Sequence, residues 1–233
     1  MITARDAIFA QIKAALATAP PAPPAAAPSS LTSPGSLDTT EWRDGEATST
    51  ASSTVDDAVV TLFAERCGDY GAAVVRVPSR DAATEAARLL ADHGVESVVA
   101  PEGIGAALLA ALANAGIRAV GDTPPLSAAE LDQLDGVVTA CRVAIAETGT
   151  LVLDHAADQG RRALSLVPDT HLCLVRAEQI VAAVPQAVTR LRPSVAAGRP
   201  LTWVSGPSAT VDIELTRVEG VHGPRTLLVV VAE

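Results

Sequence analysis

From Val55 onward, apolar and polar positions fall into alternating helix-like and strand-like runs. Residues 55–67, Asp81–His93, Ile104–Asn114, Ser127–Leu134 and Glu178–Leu191 carry the apolar spacing of a helix face. Short Val- and Leu-rich runs between them predict strands at Ala72–Val77, Glu96–Ala100, Ile117–Val120, Gly136–Ala140, Val143–Ala146, Leu151–Leu153, His171–Val175, Leu201–Val204 and Thr226–Val231. Gly94 stops the second helix and Gly116 ends the third. Ser127 is placed to cap the fourth, with Glu130 at the capping-box position. Short apolar strands separated by helices imply an α/β fold: an open, largely parallel sheet with helices on both faces.

The pattern changes before Val55. Ile8, Ile12 and Leu16 fall on one stripe, so residues 1–19 are expected to hold a short amphipathic helix. Residues 20–54 turn to Pro, Ala, Ser and Thr, the composition of a linker or mobile arm. Trp42 interrupts that arm, which makes it either a plain spacer or a segment that docks on a partner or a site. The α/β domain is expected to occupy 55–233.

Composition narrows the partners. Apolar residues make up 48% of the chain and aromatics only 2%, so the core is one of Ala, Val and Leu. A net charge of −10, with Lys13 the one lysine, argues against nucleic acid, whose phosphates need a basic surface. It argues equally against an anionic membrane surface, and no run approaches the ~20 apolar residues of a membrane helix. Cys67, Cys141 and Cys173 are too far apart for a disulfide framework or for ligating an iron–sulfur cluster. A cytoplasmic protein is the expectation.

Three glycine-punctuated stretches carry the candidate chemistry: Ala146-Glu-Thr-Gly-Thr150, Gly206-Pro-Ser-Ala-Thr-Val-Asp-Ile-Glu214 and Gly220-Val-His-Gly-Pro-Arg225. The first two follow predicted strands, and in open parallel sheets ligands bind beyond the carboxyl ends of strands. Thr148, Gly149 and Thr150 in the first, and Gly206, Pro207, Ser208, Thr210 and Asp212 in the second, combine close backbone approach with hydroxyl and carboxylate groups. In the third, Gly223 allows close approach, Arg225 offers a bidentate donor for an anion, and His222 titrates near neutral pH. Each also has a structural reading: a turn at Gly206-Pro207, a helix-start carboxylate at Asp212, a solvated Glu147, a hydrogen-bonded His222.

Other motifs are weaker. Gly103-Ile-Gly105-Ala-Ala-Leu108 imitates a dinucleotide fingerprint, but Leu108 stands where the third glycine belongs. Cys173 lies in an apolar strand and reads as a core thiol. His155, His171 and His222 lack metal-ligand spacing, so no metal site is expected.

Ala144-Ile-Ala-Glu-Thr-Gly-Thr-Leu151 and the two later stretches, in this order, resemble the signatures of the lactate-utilisation (LUD) domain family, in its protein C branch. The resemblance covers roughly residue 55 to the C-terminus. It implies a fold like that of the sugar-isomerase and coenzyme A transferase superfamily. It also implies a part in bacterial oxidation of L-lactate to pyruvate, with two iron–sulfur partner proteins carrying the clusters and none in this chain. Ala209 stands where the family often places Lys or Arg, and Val211 where Ala is usual.

Three functions follow. In the first, the chain is the non-cluster subunit of a lactate-oxidising assembly, holding a small carboxylate through Arg225 and the Gly206–Ser208 loop with His222 as base. In the second, it is an acyl or coenzyme A transferase-like enzyme, with Glu147 as the strand-end nucleophile. In the third it is a structural or regulatory subunit.

Overall fold

The computed structural model describes residues 56–211, 217–219 and 223–233, without the side chains of 209–211 and 217–219. The expected helix at 1–19 and arm at 20–54, and the candidates Asp212, Glu214 and His222, lie outside the described residues.

In chain order the strands are β1 (Ala73–Val77), β2 (Ser97–Ala100), β3 (Arg118–Gly121), β4 (Gly136–Ala140), β5 (Val143–Ile145) and β6 (Thr150–Leu153). They continue with β7 (Thr170–Arg176), β8 (Ile180–Val181), β9 (Thr202–Val204), β10 (Ala209–Val211), β11 (Arg217–Glu219) and β12 (Thr226–Ala232). The helices are α1 (Asp57–Asp69), α2 (Ala82–Asp92), α3 (Ala106–Asn114), α4 (Ala128–Asp132) and α5 (Val184–Ala196).

The main sheet has six strands, all parallel, in the order β1-β12-β7-β4-β2-β3. Its central strands are apolar on both faces, as a sheet covered on both sides requires. Along β7 and β12, Leu172, Leu228 and Val230 face one core with Leu90 of α2 and Leu112 of α3. The alternate residues Cys173, Val229 and Val231 face a second core with Val60, Phe63 and Cys67 of α1. The expected α/β fold with helices on both faces is therefore present.

Two expectations are corrected. Val143–Ala146, Leu151–Leu153 and Leu201–Val204 do not extend the parallel sheet. They build a second, mixed sheet in the order β8-β5-β6-β9, in which β5 and β9 both run antiparallel to β6. A tight turn joins β5 to β6, and such a turn enforces antiparallel pairing, whereas parallel neighbours need a long crossover. One face of this sheet joins the α1 core and the other packs under α5 through Ile145, Val152 and Leu191.

The predicted helix Glu178–Leu191 is also revised. Its first residues form a 3₁₀ turn, Ala177–Gln179, and the short strand β8, and the helix begins only at Val184. Pro185 sits in the first turn of α5, where its missing N–H and fixed φ cost nothing. At α4 the sequence signal holds: Ser127 Oγ accepts from the Glu130 N–H (3.2 Å), and the Glu130 carboxylate accepts from the Ser127 N–H (2.7 Å).

Candidate functional site

The first motif forms the turn between β5 and β6. Gly149 takes φ 56°, and a Cβ there would come within 2.6–2.8 Å of the Arg66 and Cys67 backbone in α1. Only glycine allows that approach. The Cys67 thiol donates to the Gly149 carbonyl (3.4 Å). Just after β9, Gly206 takes φ 87° with Tyr70 directly against it; a Cβ would lie 2.7 Å from that of Tyr70. The end of α1 thus seats both motif turns.

The two turns are joined directly. Thr150 Oγ1 lies 2.7 Å from Ser205 Oγ and 2.8 Å from Thr148 Oγ1. The second motif then meets the third, because the Ser208 N–H donates to the Pro224 carbonyl (2.8 Å). Beside this seam is a cavity of about 270 Å³ lined by Gly206, Pro207, Ser208 and Gly223, among others. His171 and Leu227, the second residues of β7 and β12, also line it. The cavity therefore sits at the amino ends of these parallel strands, not at the carboxyl ends where the sequence reading puts it. The first two motif loops adjoin strands of the second sheet, and the third leads into β12 of the main sheet.

A second, more open cavity of about 400 Å³ lies at the carboxyl ends of β2 and β3, between Pro101, Asp122 and His155. A hydrogen bond separates the two cavities: His155 Nε2 is 2.8 Å from Thr202 Oγ1, with His155 lining one and Thr202 the other. Arg162 lines both.

The remaining predicted residues are dispersed. Glu147 is exposed, and its carboxylate accepts from the Val184 N–H (2.9 Å), so it satisfies the start of α5 rather than lining the cavity. Arg225 is exposed, pairs with Asp169 (3.1 Å), and is absent from the cavity wall. Thr210 is in β10, its backbone paired with Val218.

Sequence reasoning missed Arg162, His171, Trp203 and Ser205, all of which line the cavity. A visible signal was available for two of them: an arginine doublet, Arg161-Arg162, in an acidic chain, and a histidine inside an apolar strand. Among the described residues that line the cavity, Arg162 is the one with an ionised side chain. Its guanidinium has no partner among the described residues, whereas neighbouring Arg161 is held by Asp122 at 2.7 and 2.9 Å. Burial pushes the His171 pKa down to about 4, and Thr139 Oγ1 lies 2.8 Å from its Nε2. At neutral pH the imidazole at the cavity floor is therefore uncharged, which leaves the Arg162 guanidinium as the charge of the described lining.

The three cysteines are buried in the α1 core. Burial raises the Cys67 pKa to about 12, and hydrogen bonding to Cys173 together with burial raises that of Cys141 well above the ordinary range. Among the described residues, no three of His, Cys, Asp and Glu converge as a metal site.

A six-stranded parallel sheet with helices on both faces, with a second, mixed sheet beside a cavity at the amino ends of its strands, defines an α/β class of fold. Within it, the chain belongs to the LUD domain family, whose model matches residues 60–232. A Deinococcus radiodurans protein named "Lactate utilization protein C" is 53% identical over 173 residues, 74% of this chain and 79% of that protein. The Bacillus subtilis (strain 168) protein of the same name is 36% identical over 97 residues, 40% of each chain. A crystal structure of a DUF162 family protein from Deinococcus radiodurans superposes with a TM-score of 0.65 at 44% identity, covering 76% of this chain and 98% of that one.

Proposed function

We propose that this protein acts in lactate utilisation as the non-cluster subunit of a bacterial, cytoplasmic system that oxidises L-lactate to pyruvate. Its relatives named for lactate utilisation support the role. One observation supports its site: Arg162, a guanidinium without a partner among the described residues, in a cavity wall where no described Asp or Glu appears. That wall suits a small monocarboxylate, which a guanidinium can grip through both oxygens.

Oxidising lactate removes two electrons and two protons from the hydroxyl-bearing carbon and its OH. In this reading the electrons pass to iron–sulfur clusters in two partner proteins. This chain orients the carboxylate at Arg162 and presents the neutral ring of His171. His222 remains the candidate base. The transferase reading is less favoured, because the Glu147 carboxylate is engaged by the Val184 N–H outside the cavity wall.

The test is lactate oxidation with an artificial electron acceptor, using the purified chain alone and then with its iron–sulfur partners. Turnover only in the mixture is expected. Turnover by the chain alone overturns the subunit reading.

A further inference from the structure

We infer that the cavity takes monocarboxylates longer than lactate: 2-hydroxy or 2-oxo acids with an unbranched aliphatic tail, the carboxylate on Arg162 and the tail on an apolar wall. This rests on the carboxylate-binding reading of the cavity proposed above and adds the class of ligand.

Charge sets the head group. A single guanidinium matches one carboxylate, and the nearby arginines are already committed, Arg161 to Asp122 and Arg225 to Asp169. A second carboxylate on the ligand would enter a wall whose described lining offers no second cation, and an unpaired charge taken out of water is costly. Two of the hydroxyls are committed as well: Thr202 to His155 and Ser205 to Thr150. Arg162 is therefore the anchor, with His171 beside the cavity floor as a neutral hydrogen-bonding group.

The opposite requirement comes from the rest of the wall. Leu166, Trp203, Val204, Pro207, Pro224 and Leu227 are apolar. Two of them are large and left partly bare, Leu166 at 37% and Trp203 at 43% exposure. Lactate offers only a methyl group to cover them. The space is also too large for it: 270 Å³ holds about nine water-sized units at roughly 30 Å³ each, so lactate leaves part of the cavity empty or wet. An aliphatic tail fills that part and shields Trp203 and Leu166. Each methylene so buried strengthens binding about fourfold.

Isothermal titration of the purified full chain with lactate, 2-hydroxybutyrate, 2-hydroxyhexanoate, malate and lactamide tests this. The expected series tightens with tail length, 2-hydroxyhexanoate binding at least about tenfold tighter than lactate. Malate and the uncharged lactamide bind more than about tenfold weaker than lactate. Arg162→Gln weakens every monocarboxylate, and Trp203→Ala weakens the longer acids more than lactate, which flattens the chain-length series; melting curves confirm that both variants fold. If lactate binds through Arg162 but 2-hydroxyhexanoate binds no better, the longer-tail inference is overturned and the carboxylate reading stands. If no monocarboxylate binds, or if Arg162→Gln changes nothing, the carboxylate reading of this cavity falls and the inference with it.

Discussion

The hydroxyl of Thr150 lies 2.7 Å from the hydroxyl of Ser205, across 55 residues of chain, and this bond joins the first and second motifs. Thr150 is buried at 4% exposure, so a substituent that cannot hydrogen-bond leaves both Ser205 and Thr148 short of a partner. Thr150→Val keeps the shape and removes the hydroxyl. The expected loss is about 1 kcal/mol, from the broken bonds, because exposed Ser205 and half-buried Thr148 can turn to water. Chemical denaturation measures it, and monocarboxylate titration should show weaker binding as the Ser205–Ser208 wall loosens. A variant as stable as the wild type that binds equally well would mean the bond is incidental.

Gly149 permits a sharper test of how α1 seats the motif turn. Its positive φ costs an alanine roughly 1–2 kcal/mol. In addition, the new Cβ would sit 2.6 Å from the Arg66 carbonyl carbon and 2.7 Å from the Cys67 nitrogen, backbone atoms that cannot rotate away. Together these predict a loss of about 3 kcal/mol or more for Gly149→Ala. Gly94→Ala is the control: φ is +72° there, but nothing lies within 4 Å, so only the conformational cost of about 1 kcal/mol is expected. Equal losses for the two would remove the steric argument.

Most of the main sheet was legible because both faces of β7 and β12 are apolar and because Gly94 and Gly116 close the helices before β2 and β3. The Ser127–Glu130 cap could be read from two residues, since both halves of that interaction are local. The second sheet could not. Val143–Ile145 and Thr150–Leu153 are short apolar runs, and nothing within them says which neighbour they pair with. The site was legible in part for the same reason. Gly206, Ser208 and Gly223 announce themselves by chemistry, but Arg162, on the 3₁₀ turn before β7, and His171, on β7, join the cavity lining only through tertiary packing. Glu147 and Arg225 look functional in sequence, yet they sit at solvent with the Val184 N–H and Asp169 as partners.

Glu147 separates two functional readings cheaply. Its carboxylate accepts from the Val184 N–H, one of the otherwise unsatisfied donors at the start of α5. Glu147→Gln retains an acceptor oxygen and is expected to change stability by less than about 0.5 kcal/mol, whereas Glu147→Ala loses about 1 kcal/mol. Both should leave partner-dependent lactate oxidation within a few-fold of wild type. A Glu147→Gln variant that is fully folded but inactive would revive the nucleophile reading.

The buried thiols give a prediction independent of function. With Cys67 at about 12 and Cys141 shifted in the same direction, little thiolate of either exists at pH 8 in the folded protein, and Cys173 is buried beside them. A thiol-reactive dye should therefore label the native chain at less than about a thousandth of the rate of a free thiol, and label all three cysteines once denaturant is added. Rapid native labelling at any of the three would show that its core opens far below the unfolding threshold.

His171 predicts how stability depends on pH. Its pKa is about 4 when folded and about 6.5 when unfolded, so the unfolded chain binds the extra proton between those values. Stability from this residue is thus complete above about pH 6.5 and falls as pH drops towards 4, by roughly 3 kcal/mol in total. Depressed carboxylates cannot mimic the effect, because their loss falls lower. Asp154 is the example: burial alone would raise its pKa, but Ser194 at 2.6 Å and Arg199 at 3.2 Å outweigh that and lower it. Its contribution, present above about 3.9, is lost only below that value. Unfolding free energies measured from pH 7.5 to 4.5 should fall for the wild type. They should be nearly flat for His171→Gln, which can hydrogen-bond Thr139 but cannot take up a proton. An equal slope in both proteins would place the titrating group elsewhere and remove the case for a neutral imidazole in the cavity floor.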